Sequence, residues 1–273
     1  MRKVNKDLLN IPFSLRNDEE SIKSDPAKTT NEKRMKVIAD KKYPDSNHSD
    51  SFDSRYKYKD IKAALLPIYH NKCAFCETIV EQLHVEHYRP KRGGYYWLAF
   101  SWDNLLLACP TCNTNKGSDF PLENEDRKIS YEENPDVLRN INTISSSYDA
   151  IERPLLINPE SVDPDIFSAL CFNQDGSVWS ENNRLSKTIE LCGLDRVALC
   201  HSRKKIWDDL KKDIHIAFDV CKGDKNLLET SMELICKSFM EKANDEDNAY
   251  IAFRKYVLSS GWIRQELKSI NRL

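Results

Sequence analysis

No stretch of this sequence approaches the roughly 18 consecutive apolar residues that a membrane-spanning helix needs, which excludes an integral helical membrane protein. Hydrophobic residues make up 40% of the 273 and charged residues 31%, an ordinary balance for a water-soluble chain. The opening MRKVNKDLLNIPFSLRNDEE carries charge but lacks the apolar core and small-residue cleavage site of a secretory leader, so a reducing, cytoplasmic setting is expected. A dominant charge is missing too. The formal net charge is −2, so the chain as a whole announces no polyanionic partner. There is no internal repeat, and no Gly-x-x-x-x-Gly-Lys-Ser/Thr phosphate loop, so any nucleotide-driven control has to come from another subunit.

What is abundant is cysteine, at nine residues. Thiols in a reducing compartment stay reduced, so these are not a disulfide framework and metal binding becomes the first question. Cys73-Ala74-Phe75-Cys76 and Cys109-Pro110-Thr111-Cys112 are two Cys-x-x-Cys knuckles, with 32 residues between Cys76 and Cys109. Each tight turn aims two sulfurs at one point, and four thiolates satisfy a tetrahedral Zn²⁺ with no position left for water or substrate. Such a metal holds a fold together, and chemistry has to come from residues it positions. Cys171, Cys192, Cys200, Cys221 and Cys236 show no ligand spacing and are expected in the core.

Between and just after the knuckles lie LHVEHYRPK (residues 83–91), WDNLLLACPTCNTNKG (residues 102–117) and a local excess of positive charge. From His87 to Ser118, Arg89, Lys91, Arg92 and Lys116 face only Asp103, which points to an anionic ligand at one place on a nearly neutral protein. The ordered combination of Cys-x-x-Cys, Glu-His, Trp-x-Asn-Leu, Cys-x-x-Cys-Asn and Lys-Gly, over about residues 73 to 122, resembles the HNH endonucleases of the ββα-metal type. CAFCE, EHYRPK, NLLLACPTCN and KGSDFPL are similar to the HNH nuclease subunits of Septu and retron-associated anti-phage systems.

That resemblance implies His87 as general base, Glu86 as the metal-binding residue before it, Asn104 as the middle asparagine and Asn113 at the third position. An imidazole suits deprotonation of water near neutral pH if a partner orients its ring. The family often has histidine at the third position and histidine or aspartate at the position of Glu86. Oxygen donors at both places favour Mg²⁺ or Mn²⁺, separate from the structural zinc. Asn104 is left between two readings, a metal ligand or a brace for the loop carrying His87. The resemblance also implies an ATPase partner, with or without a retron reverse transcriptase and its RNA/DNA, and a 5′-phosphate product.

Each remaining residue has a bland reading beside the sharp one. Lys116 shares a helix face with Asn113 and is an expected phosphate contact; Arg89 and Lys91 are expected backbone contacts, or else solvated charges. Tyr95, Tyr96, Trp97, Phe100 and Trp102 either stack on bases or, as the small core requires, pack around the zinc. His84 carries no assignment, and His48, His70, His201 and His215 read as ordinary residues. DNA is the expected substrate. RNA such as tRNA, and a non-catalytic zinc-stapled binding module, stand as alternatives.

The fold expected is α+β and mainly α-helical, a small zinc-stapled ββα unit embedded in a helical protein. It divides into an N-terminal extension (residues 1–58), the nuclease module (59–125) and a mainly helical region (126–273) offered as the partner-docking part. A Thr29-x-x-Glu32 capping box opens a first helix with Met35 and Ile38 as its apolar positions, and residues 43–51 read as a turn-rich loop. Ile61 and Leu65 mark a second helix that Pro67 ends near Leu66. Asp175-Gly176 between short apolar runs predicts a β-hairpin over residues 170–179. Asp195 is the expected cap of a helix bearing Leu199, Ile206, Leu210, Ile214, Ala217 and Cys221. Leu228, Met232, Ile235 and Phe239 repeat that pattern, and a last helix carries Phe253, Tyr256 and Val257 before Gly261.

Overall fold

A computed structural model describes residues 1–16, 29–43, 54–132 and 135–270; His48 and most of the expected 43–51 loop lie outside them. Among the described residues an irregular N-terminal strap leads through α1 (Thr30–Ala39) and α2 (Lys59–Ile68) to β1 (His84–His87), β2 (Leu105–Ala108) and α3 (Pro110–Lys116). Two short helices, α4 (Pro135–Arg139) and α5 (Asp149–Glu152), precede a hairpin of β3 (Cys171–Phe172) and β4 (Val178–Trp179). Five helices complete the chain: α6 (Asn183–Cys192), α7 (Val197–Cys221), α8 (Lys225–Asn244), α9 (Ile251–Ser259) and α10 (Trp262–Ile270). The architecture is α+β and mainly helical, with one small ββα unit in its first half.

Local sequence explains most of these elements. The capping box at the start of α1 is formed: the Thr29 hydroxyl accepts from Glu32 N at 3.2 Å and the Glu32 carboxylate accepts from Thr29 N at 2.6 Å. The buried face of α1 is only partly the expected one: Ile38 packs half-buried against the core, but Met35 is exposed. Thr30, Lys33, Arg34 and Val37 turn inward instead, because Arg34 donates to the Phe100 carbonyl at 3.1 Å and draws that face onto the module. In α2, Ile61 and Leu65 are buried as expected, but the helix runs through Pro67 to Ile68. Pro67 lies in the last turn, and His70 and Asn71 in left-handed conformation end the helix.

The hairpin forms where Asp175-Gly176 predicts it. Gly176 has φ +85°, and a Cβ there would overlap the Cys200 carbonyl of α7, so glycine is required on two counts. Asp195 does not cap α7. Its carboxylate accepts from Val178 N of the hairpin at 2.7 Å, and Arg196 takes the N-cap position with no side-chain cap bond. Nor is α9 the last helix: Gly261, at φ +82°, turns the chain into α10.

The larger of two apolar clusters binds the halves together. It runs from Met1 and Val4 of the strap through Ile61 and Leu65, the four knuckle cysteines and all of β2, to Trp207, Phe239, Phe253, Val257 and Trp262. Packing therefore draws no line at residue 58 or 125. The strap is pinned to the ββα unit by Lys6, whose ammonium donates to the carbonyls of Trp102 at 2.8 Å and Leu105 at 2.7 Å. No helix among the described residues is long and apolar enough to cross a membrane.

Candidate functional site

The ββα unit has a sulfur end and a charged end. At the sulfur end, β2 runs directly into Cys109, which is the N-cap of α3; its sulfur accepts from Cys112 N at 3.4 Å, and Pro110 supplies the preset first helical φ. The Cys73–Cys76 turn closes against it. Ala74 N donates to Leu107 O of β2 at 2.8 Å, and Glu77 adopts φ +61°. All four cysteines are buried, and their sulfurs lie within 4.8 Å of one another. Sulfurs so close cannot all ionise unaided. Hydrogen bonds from its neighbours, Cys109 first, hold the Cys76 thiol well below its ordinary value, while Cys112 is pushed well above, also through Cys109. A divalent cation resolves that conflict, and four thiolates in a closed cluster are the donor set zinc takes.

At the charged end, β1 sends alternate side chains to opposite faces. His84 and Glu86 face α3, where Asn113 and Lys116 stand one turn apart: Asn113 Nδ2 is 3.3 Å from His84 Nδ1, and the Lys116 ammonium is 2.9 Å from the Glu86 carboxylate. His87 takes the other face and is buried. Its Nε2 lies 2.9 Å from the Ala99 carbonyl, which can only accept, so the proton sits on Nε2 and Nδ1 is left as the ring's acceptor. The ring packs edge-on against Tyr56 at 4.4 Å between centroids, and the Lys91 ammonium lies 3.4 Å from Nδ1. Burial lowers the His87 pKa well below the ordinary histidine value; the Lys91 charge, with Lys116 and Lys57, lowers it further, while the Ala99 carbonyl opposes. The ring is thus neutral at pH 7. Lys91 is itself pushed down to about 8, by burial above all, and packs over the rings of Tyr56 and Tyr43.

Asn104 is hydrogen-bonded at both ends of its amide. Its Oδ1 accepts from Arg89 N at 2.8 Å, and its Nδ2 donates to Arg89 O at 3.0 Å and Leu98 O at 3.1 Å. Both ends of the amide are spent bracing the turn that leaves His87. Arg89 is not a surface cation. Fully buried, it pairs with Glu152 at 2.7 Å and Asp149 at 2.7 Å and donates to the Ser145 carbonyl at 2.7 Å, an internal ion cluster with no face for a nucleic-acid backbone. Lys116 is likewise fully buried on Glu86 rather than turned outward to a phosphate. Tyr95, Trp97, Phe100 and Trp102 are buried in the core, as the bland reading has it.

Three features of the site carry no signal in the sequence. Tyr56 and Lys57 lie about 30 residues upstream of His87 with no motif to mark them, and the pairing of His84 with Asn113 depends on the β1–α3 geometry. Arg196, whose guanidinium lies against three of the knuckle sulfurs, stands far from both knuckles in the chain. Among the described residues the four cysteines are the one cluster of three or more His, Cys, Asp or Glu ligand groups. A second cation would be held by Glu86 and Asn113, with His84 alongside. Oxygen donors of this kind suit a hard ion, and the Glu86 carboxylate is at present paired with the Lys116 ammonium.

Residues 71–119 match the HNH endonuclease family model, so the zinc-knuckle ββα unit is an HNH domain. Over a longer span the chain is similar to the Septu protein PtuB of Bacillus mycoides (strain KBAB4), at 30% identity across 174 residues, 57% of this chain and 54% of that protein. The Septu protein PtuB of Bacillus thuringiensis is 42% identical over 62 residues, 21% of this chain and 24% of that protein. The Septu protein PtuA of Bacillus mycoides (strain KBAB4) matches 81% of this chain at 22% identity, over only 30% of its own length. The chain thus spans about half the length of the first of these relatives and less of the others. No solved structure matches.

Proposed function

We propose that this chain is the nuclease component of a Septu-type anti-phage assembly and hydrolyses phosphodiester bonds in DNA. The observation that carries the reading is the His87 ring. It is neutral, with its proton fixed on Nε2 by the Ala99 carbonyl, and it offers Nδ1 as a base on the side where Lys91 supplies positive charge. In this reading His87 Nδ1 takes the proton of the attacking water, Lys91 meets a phosphate oxygen, and Asn104 fixes the turn that aims the ring. Glu86 and Asn113 would hold Mg²⁺ or Mn²⁺, which when bound polarises the scissile phosphate and neutralises the departing oxygen. Lys116 holds the Glu86 carboxylate in place through a 2.9 Å ion pair.

A partner belongs to the proposal. In the PtuA relative, the stretch similar to this chain is under a third of a longer polypeptide, which supports a unit that works beside additional protein. We assign the C-terminal helices to docking an ATPase subunit. Of the 20 residues of α8 only Phe239 and Ala243 are buried, and Val220, Leu227, Leu234 and Met240 leave apolar surface along the α7–α8 pair.

The test is a side-by-side assay of plasmid DNA and tRNA with Mg²⁺ or Mn²⁺, with and without a candidate ATPase subunit. DNA cleavage requiring the divalent ion is expected. Cleavage of tRNA alone would move the substrate to RNA, and binding with no cleavage under any of these conditions would leave a non-catalytic module.

A further inference from the structure

A tetrathiolate zinc carries two negative charges, and here the sulfurs are buried. Such a centre needs donors and positive charge around it. The HNH domain supplies little of either: Cys112 N donates to Cys109 Sγ at 3.4 Å, and the Thr78 hydroxyl lies 3.2 Å from Cys76 Sγ. The remainder comes from the helical half. Arg196 Nη1 lies 3.5 Å from Cys112 Sγ, and Nη2 lies 3.7 Å from Cys76 Sγ and 3.8 Å from Cys109 Sγ. One guanidinium thereby spans three of the four sulfurs and both knuckles.

Its placement is specific. Nη1 also donates to the Gly193 carbonyl at 2.9 Å, so the fork is anchored from behind as well as in front. No carboxylate among the described residues lies within ion-pair distance of Arg196, so its anionic partners there are the sulfurs. The residue is also a poor choice for α7 itself. A cation at a helix N-cap opposes the positive end of the helix dipole, and it offers no acceptor for the free N–H groups. Something other than the helix accounts for an arginine there.

We infer that Arg196 is the outer-sphere counter-ion of the zinc centre, lowering the nucleophilicity of the thiolates and making metal retention depend on the α6–α7 junction. The inference rests on the reading of the four cysteines as a zinc site. A second link runs the same way: Tyr250, just before α9, places its hydroxyl 3.2 Å from Thr78 Oγ1, and Ala252 N donates to Glu77 at 3.3 Å. The knuckle that carries Cys76 is therefore clasped by the C-terminal helices from two directions.

The experiment uses the full chain, purified with zinc. Zinc content is measured, then the rate of release to a chromophoric chelator, then the thiolate-to-metal charge-transfer bands of the Co²⁺-substituted protein. Arg196→Met is expected to release zinc about 10- to 100-fold faster and to move the Co²⁺ bands to lower energy as the sulfurs become more electron-rich. Arg196→Lys should fall between, since one ammonium cannot span both knuckles, and Arg196→Gln should lie close to Met. That order decides the matter even if Arg196→Met fails to fold. Equal release rates and unchanged bands in Lys and Gln variants would overturn the inference, whereas a wild-type chain without stoichiometric zinc would overturn the zinc reading along with it. The control, Lys205→Met, removes a surface pair on α7 and should match wild type.

Discussion

The sulfur end and the charged end of the ββα unit share β1, β2 and α3, yet they are built on opposite rules. At the sulfur end, four identical donors converge, are buried and would be saturated by one metal, which would leave no position for substrate. At the charged end each side chain has a different partner: His87 on a carbonyl, Glu86 on an ammonium, Asn104 on the backbone, Asn113 on a second imidazole. The sulfur cluster is built to hold one metal, and the charged end holds single groups each against its own partner. The two ends should therefore fail in different ways.

The sharpest way to break that comparison is at the sulfurs. Cys76→Ser, or a strong chelator, removes a ligand from a closed site, and loss of cooperative unfolding is expected, because metal affinity at such a centre is folding energy. Calorimetry checks it; a Cys76→Ser chain that melts like wild type would mean the cluster holds no structural metal.

Next comes Arg89→Leu. It leaves Glu152, itself fully buried, as an unpaired charge and should cost about 3–5 kcal/mol in denaturant unfolding. A change within about 1 kcal/mol would contradict the internal ion cluster and return Arg89 to the role of a backbone contact. Asn104→Ala sits between the two ends. It should cost about 1–3 kcal/mol for the buried groups left unsatisfied, and activity should fall further than stability does, because the freed turn no longer aims His87.

The smallest expected effect is in the pH profile. His87 accepts a proton only when neutral, and its lowered pKa keeps it neutral to lower pH, so the acid limb of cleavage should lie below the usual histidine value of about 6.5. Lys91 loses its charge above about 8, which sets the alkaline limb. Lys91→Met removes a neighbouring cation, so the His87 pKa rises and the acid limb moves upward, while the limb near 8 disappears; Lys91→Arg should keep the charge and push that limb to higher pH. A profile unchanged in both variants would separate Lys91 from the site.

Short-range signals are legible in the sequence alone. The knuckles, the capping box and the Asp-Gly hairpin each depend on neighbours within a few residues, and all form where spacing predicts them. What needs three dimensions is the fate of charge. Arg89 and Lys91 are two residues apart and look alike in sequence, yet the turn braced by Asn104 sends one into a carboxylate pocket made by α5 and the other over Tyr56 beside His87. Asp195 looks like a cap, and its carboxylate goes to a hairpin 17 residues earlier. Arg196 carries no motif at all, because its partners are sulfurs 84 to 120 residues away in the chain. Long-range electrostatics decides each of these, and periodicity does not report it.

The most direct test of the account compares wild type with His87→Ala in the same plasmid-cleavage assay, partner and divalent ion present, with zinc content measured on both. The account predicts that His87→Ala keeps stoichiometric zinc and its fold while cleavage falls by roughly 10²- to 10⁴-fold, the usual worth of a general base. Cleavage by His87→Ala at the wild-type rate would contradict it.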